Sequence, residues 1–171
     1  MLIGDNMNNY VCKIASLEEV ASMFDFYIEH DNQRENWIKW KENALDNQRN
    51  GRTINYHGVL DGKIICECTA ALDSMNIQNS DGLIDTDKAY LLAFRTLPEY
   101  RGKGYFTPLF NFMLEDLKKR GIKKVTLGVE PDELKNKAIY NHYGFTEHIK
   151  DAKEINPDGT SIDVEYYGKT L

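Results

Sequence analysis

The chain has 171 residues, of which 42% are hydrophobic and 28% charged, and its formal net charge is −6. That length holds one core of ordinary size, and the composition excludes low-complexity and solenoid architectures. The acidic balance argues against nucleic acid or an anionic membrane as partner and suits a cationic one, while no apolar run is long enough to span a bilayer.

In chain order, "MLIGDNMNNY" has no basic flank followed by an apolar stretch. It reads as a polar lead-in, mobile over residues 1–9, rather than a secretory signal. "YVCKIAS" is a first strand, and Ser16 followed by Glu19 marks a capping box. Leu17, Val20, Ala21, Phe24, Tyr27 and Ile28 then keep helical spacing to about His30. A second helix is predicted from Glu35 to Arg49, with Trp37, Ile38, Ala44 and Leu45 on its apolar side and Gly51 as a stop. "TINYHGVLDGKIICECTAAL" gives two strands joined at Asp61-Gly62, a hairpin dipeptide.

Cys66 and Cys68 share one face of that second strand. With Cys12 they make an odd count, so they read as reduced thiols of a cytoplasmic protein, with no metal site. A long polar loop, Asp73 to Asp87, precedes "KAYLLAFRT", whose nearly continuous apolar run predicts burial on both faces. Next comes a helix with Phe106, Leu109, Phe110, Met113, Leu114 and Leu117 on one side, ended by Gly121. "KKVTLGV" is a strand, Leu134 to about Tyr143 a short helix, and "FTEHIKD" and "SIDVEYYGKTL" are strands joined at "NPDG". The order is β-α-α-β-β-β-α-β-α-β-β, an α/β (α+β) chain expected to form a single domain over 1–171.

The motif that carries chemistry is "LPEYRGKGYF", Leu97 to Phe106. It is a poor Walker loop, because Lys103 is followed by Gly104 and Tyr105 rather than Ser or Thr. A dinucleotide fingerprint needs a third glycine where Thr107 stands. Two alternatives remain. The glycines let backbone amides at a helix N-terminus face a pyrophosphate, or the segment is an ordinary strand-to-helix turn with Arg101 and Lys103 solvated.

Arg101-Gly102-Lys103-Gly104, lying between a buried strand and an amphipathic helix, resembles the Arg/Gln-x-x-Gly-x-Gly/Ala hallmark of the GCN5-related N-acetyltransferase (GNAT) family. The resemblance extends through "GIKKVTLGV" to "AIYNHYGF", over roughly Lys88 to Ile149. It implies a mixed, mainly antiparallel sheet of six to seven strands flanked by about four helices, and acetyl-CoA as co-substrate. The pyrophosphate would meet Arg101, Gly102, Lys103, Gly104, Tyr105, Phe106 and Thr107. The pantetheine arm would pair with the backbone of Phe94, Arg95 and Thr96, where that strand splays from "KKVTLGV". Tyr140 matches the general acid that the family uses for the leaving thiolate, against the alternative of core packing. Asn136 stands near the family's arm-binding asparagine but is displaced in spacing, and helix capping explains it equally. Phe106 departs from the hallmark's final Gly/Ala.

The general base is less defined. The strand position where many relatives carry glutamate is Gly128 here. Glu130, of the same parity, and Glu67, an acid inside an apolar strand, are the candidates. The expected acceptor is a primary amine of a small molecule such as an amino acid, a polyamine or an aminoglycoside, with a protein N-terminus or a non-catalytic acyl-CoA-binding role as alternatives. Acceptor choice is expected from the two N-terminal helices, the loop Asp73 to Asp87 and the hairpin around Pro157. Trp37 and Trp40 either line the acceptor pocket or pack a helix on the sheet. The resemblance is also compatible with a homodimer.

Overall fold

The computed structural model describes residues 9–171. The lead-in expected over residues 1–9 lies, apart from Asn9, outside the described residues. The elements are β1 (Tyr10–Ile14), α1 (Leu17–His30), α2 (Arg34–Arg49), β2 (Thr53–Leu60), β3 (Lys63–Ala71) and β4 (Lys88–Thr96), followed by α3 (Phe106–Lys119), β5 (Lys124–Val129), α4 (Leu134–His142), β6 (Glu147–Ile155) and β7 (Ser161–Thr170). A single 3-10 turn, Pro98–Tyr100, stands between β4 and α3. The predicted order is observed throughout. No helix among the described residues is long and apolar enough to cross a membrane.

Local chemistry accounts for the helix ends. The Ser16 hydroxyl accepts from the Glu19 amide at 3.2 Å, and the Glu19 carboxylate accepts from the Ser16 amide at 2.8 Å. This closes the box the sequence predicts and satisfies two donors that α1 would otherwise leave orphaned. α3 buries Leu109, Phe110, Met113, Leu114 and Leu117 as one stripe, while Gly121, at φ +89°, takes the left-handed conformation beyond its end.

The sheet has seven strands in the order β1-β2-β3-β4-β5-β7-β6. Every pairing is antiparallel except β4 with β5. α3 packs on one face, over Tyr56, Cys66, Cys68, Leu91 and Leu127. On the other face Thr69, Glu67 and Arg95 look toward α1, α2 and the loop between β3 and β4. Cys66 and Cys68 are buried together and unbridged.

Two expectations about burial need correction. Ile38 is exposed, and the buried side of α2 carries Asn36 and Asn47 beside Trp37. β4 is buried at Ala89, Tyr90 and Leu91 but only half-buried from Leu92 to Thr96. The reason is topological. β4 pairs with β5 only from Lys88 to Leu91 opposite Lys124 to Leu127, after which the two parallel strands diverge.

Candidate active site

That divergence organises the site. Beyond Leu91 the β5-facing edge of β4 has no strand partner, so its backbone donors and acceptors are open to a ligand there. On the other edge β4 continues against β3, but with a bulge: Thr69 pairs with Leu92 and Glu67 with Arg95, so one residue of β3 opposes two of β4. Ala93, inside the bulge, has φ +58°, a left-handed conformation that a residue with a Cβ adopts only under constraint. The extra residue reverses the alternation. Tyr90, Leu92 and Arg95 therefore share one face, whereas Phe94 and Thr96 face α3.

The glycine segment lies at the end of this strand. Gly102 and Gly104 have φ of +71° and +84°, values that other residues rarely adopt. A Cβ added to Gly102 would meet nothing within 4 Å, so its glycine serves backbone shape rather than core packing. Tyr105 anchors the segment: it is buried, packs on the Tyr10 ring and accepts a 2.7 Å hydrogen bond from the Tyr10 hydroxyl on its carbonyl. Arg101 donates from Nε to the Thr96 carbonyl at 2.9 Å, clipping the segment to the end of β4. Lys103 is exposed, with its ammonium 5.8 Å from the Tyr100 ring centroid.

No side chain caps the N-terminus of α3. Its first amides are the unsatisfied donors that, with the helix dipole, favour a phosphate. Phe106 does not obstruct them. Its half-buried ring packs against Phe94, at 5.2 Å between centroids, and against Phe110. Thr107 shares a 2.9 Å hydrogen bond with the Tyr143 hydroxyl, tying α3 to α4. The cradle and the open edge fit a pyrophosphate with a pantetheine-like arm.

Tyr140, on α4, is half-buried with its ring 5.7 Å from that of Phe94, edge to face. Burial, aided by Glu133, pushes its hydroxyl up to about 12. It is therefore a protonated phenol at neutral pH, able to donate. Tyr90 is close enough to both Tyr140 and Glu154 to interact electrostatically with each. Asn136 is in the first turn of α4 and donates to Glu133 at 2.9 Å. It caps nothing, because the residue at the cap position is Glu133 and makes no capping bond.

On the opposite face is a cavity of about 510 Å³. Its walls come from α1 (Val20, Phe24), α2 (Trp40, Asn43), the β3–β4 loop (Asn76, Ile77) and the β6–β7 hairpin (Asn156, Ile162). Trp37 is not in the wall; it packs α2 against Phe24 and Tyr27, while Trp40 does line the space. The cavity holds both base candidates. Glu67 is ion-paired with Arg95, whose guanidinium lies 4.6 Å from the Trp37 ring centroid. Glu130 is half-buried just past the end of β5 rather than within it. Burial, then the nearby Glu133, Asp132 and Glu154, push its carboxyl above the usual carboxylate range.

Three cavity-side residues escape sequence reasoning. Glu154, from β6, lines the space and accepts a 2.7 Å bond from Tyr166. His57 lies at the far wall with an Nδ1 that has no partner, and burial pushes it down to about 4, so it is neutral at physiological pH. Asn36 joins α2 to the hairpin, exchanging bonds of 3.1 and 2.9 Å with Asp158. Only Asn36 left a trace in the sequence, as a polar residue beside Trp37.

The parallel-strand splay, the glycine cradle at a helix start and the tyrosine beyond it define a coenzyme-A-dependent acyltransferase. The Acetyltransferase (GNAT) family matches residues 14–145, and the chain belongs to that family. No curated protein sequence matches it. Among solved structures it resembles the ribosomal-protein-S18-alanine N-acetyltransferase of Escherichia coli, with 17% identity and a TM-score of 0.70 over 95% of this chain and 94% of that one. A probable acetyltransferase from Staphylococcus epidermidis gives 14% identity and a TM-score of 0.71 over 95% and 99%. NAA60 of Arabidopsis thaliana gives 15% and 0.68 over 94% and 97%. At these identities the likeness is one of fold.

Proposed function

We propose that the protein transfers an acetyl group from acetyl-CoA to a primary amine of a small molecule. The observation that carries this reading is the end of β4–β5 pairing at Leu91 and Leu127, which joins an open strand edge and glycine cradle to an acid-lined cavity. In the reaction the amine forms a C–N bond to the acetyl carbon while the C–S bond breaks. Glu130 takes the proton released by the amine, and Tyr140 gives its proton to the departing sulfur. The amides of Gly102 to Thr107 and the α3 dipole hold the diphosphate, and the free edge of β4 holds the arm.

Asn36 and Asp158 tie α2 to the β6–β7 hairpin beside the cavity, which favours a small acceptor over a protein N-terminus. Thiol release from acetyl-CoA, followed across a panel of amines, tests the reading. Tyr140→Phe is expected to lower kcat about a hundredfold while calorimetry finds acetyl-CoA binding intact. Unchanged turnover would remove Tyr140 from the mechanism, and absence of acetyl-CoA binding to the wild type would sink the proposal.

A further inference from the structure

α3 opens with Phe106, Thr107 and Pro108, and the proline has no N–H to offer. The aim of the Phe106 and Thr107 amides is then decisive for a diphosphate. The segment before them restrains itself little, because Gly102 and Gly104 are glycines in the left-handed region and both are exposed.

The restraint comes from β1, at the edge of the sheet. The Tyr10 hydroxyl donates to the Tyr105 carbonyl at 2.7 Å, across 95 residues of chain, and the two rings pack at 5.1 Å between centroids. Burial, then Cys66 and Cys12, push the Tyr10 hydroxyl above the usual tyrosine range, so it keeps the proton it donates. The Tyr105 carbonyl and the Phe106 N–H belong to one planar trans peptide and point in opposite directions. A hydroxyl that holds the carbonyl toward β1 thereby holds the N–H outward.

A second position is shaped for this contact. Gly58, within β2, lies opposite Cys12 on β1 and Cys66 on β3. A Cβ there would stand 2.7 Å from Cζ of Tyr10 and 2.9 Å from Cε2, with the hydroxyl oxygen nearer still. The three nearest atoms all belong to Tyr10, so the bare backbone of Gly58 is the space through which Tyr10 reaches Tyr105. Tyr10 also stands ahead of residues 14–145, the stretch that the family matches.

We infer that Tyr10 is a positioning residue for the donor: seated over Gly58, it fixes the Tyr105–Phe106 peptide so that the cradle's amides meet the coenzyme A diphosphate. This rests on the acetyl-CoA reading above and adds to it a residue from the far edge of the sheet.

Tyr10→Phe keeps the ring and loses only the hydroxyl. Calorimetry on it is expected to find the dissociation constant for coenzyme A raised about fivefold, the equivalent of one hydrogen bond. KM for acetyl-CoA is expected to rise by the same factor with little change in kcat. Amide exchange in the uncomplexed variant is expected to quicken within residues 101–107 and not in β2 or β3. Gly58→Ala is expected to weaken coenzyme A at least as much, and to add nothing in a Tyr10→Ala background, where the ring it would strike is absent. Wild-type affinity in Tyr10→Phe, or a Gly58→Ala penalty that persists in Tyr10→Ala, overturns this inference and leaves the acetyl-CoA reading standing. A wild-type protein that binds no coenzyme A overturns both.

Discussion

Gly128 occupies the strand position where the resemblance leads one to expect a catalytic glutamate, and its surroundings explain the glycine. A Cβ there would lie 2.7 Å from Val164 Cγ1, 3.0 Å from Tyr166 Cε1 and 3.1 Å from the Tyr90 hydroxyl. All three neighbours are buried, so none can yield freely. Gly128→Ala is expected to cost about 1–3 kcal/mol through overpacking, read as a lower denaturation midpoint with an unchanged m-value. An alanine variant as stable as the wild type would show that the strand does not need the close approach. The crowding also explains why the carboxylate with a raised proton affinity is Glu130, where β5 has ended and room exists. The sequence shows a glycine in a strand and two nearby glutamates. The rings that exclude a side chain come from β4 and β7, and no local pattern relates those positions.

Among the elements, β4 and the β6–β7 hairpin decide the most. The apolar run of β4 is legible as a central strand, and its first half behaves as one. The bulge at Ala93 is not legible, because neither glycine nor proline marks it and because its cause is the register against β3. Without the inserted residue Arg95 would face α3, and Glu67 would be a buried carboxylate without its guanidinium. The hairpin is legible from "NPDG", but its attachment to α2 through Asn36 and Asp158 spans 122 residues. Asn36→Ala is expected to raise KM for the amine about fivefold, equivalent to one lost hydrogen bond, with acetyl-CoA affinity unchanged. If both substrates weaken together, the tie supports the fold rather than the acceptor cavity.

Across the whole molecule, one sheet separates α3 on one face from the cavity on the other. In the proposed function α3 and its glycine approach take the donor, and the N-terminal helices, the β3–β4 loop and the hairpin enclose the cavity that takes the acceptor. The burial of His57 beneath that enclosure links pH to stability. Its imidazole is pushed down to about 4 in the fold, against 6.5 when unconstrained, so below 6.5 the unfolded chain binds a proton that the native state refuses. This contribution is complete above pH 6.5 and erodes by about 1.4 kcal/mol per pH unit as pH falls toward 4. Chemical denaturation at intervals from pH 7 to 4 is expected to show that slope, and His57→Gln to flatten it. Equal slopes in the two proteins would mean that the acid loss comes from other groups.

By itself the sequence determined what depends on neighbours along the chain: the order of helices and strands, the capping box at Ser16, the glycine segment before α3 and, through its motifs, the acetyltransferase resemblance. Periodicity and turn chemistry are local, so they survive in one dimension. Only the tertiary structure decided where β4 leaves β5, which way Arg95 turns, why Gly128 bears no side chain, and that Glu130, Glu154 and His57 border one cavity. Those features arise when strands distant in sequence fix each other's register, and a single inserted residue in one of them changes the face that every following side chain presents.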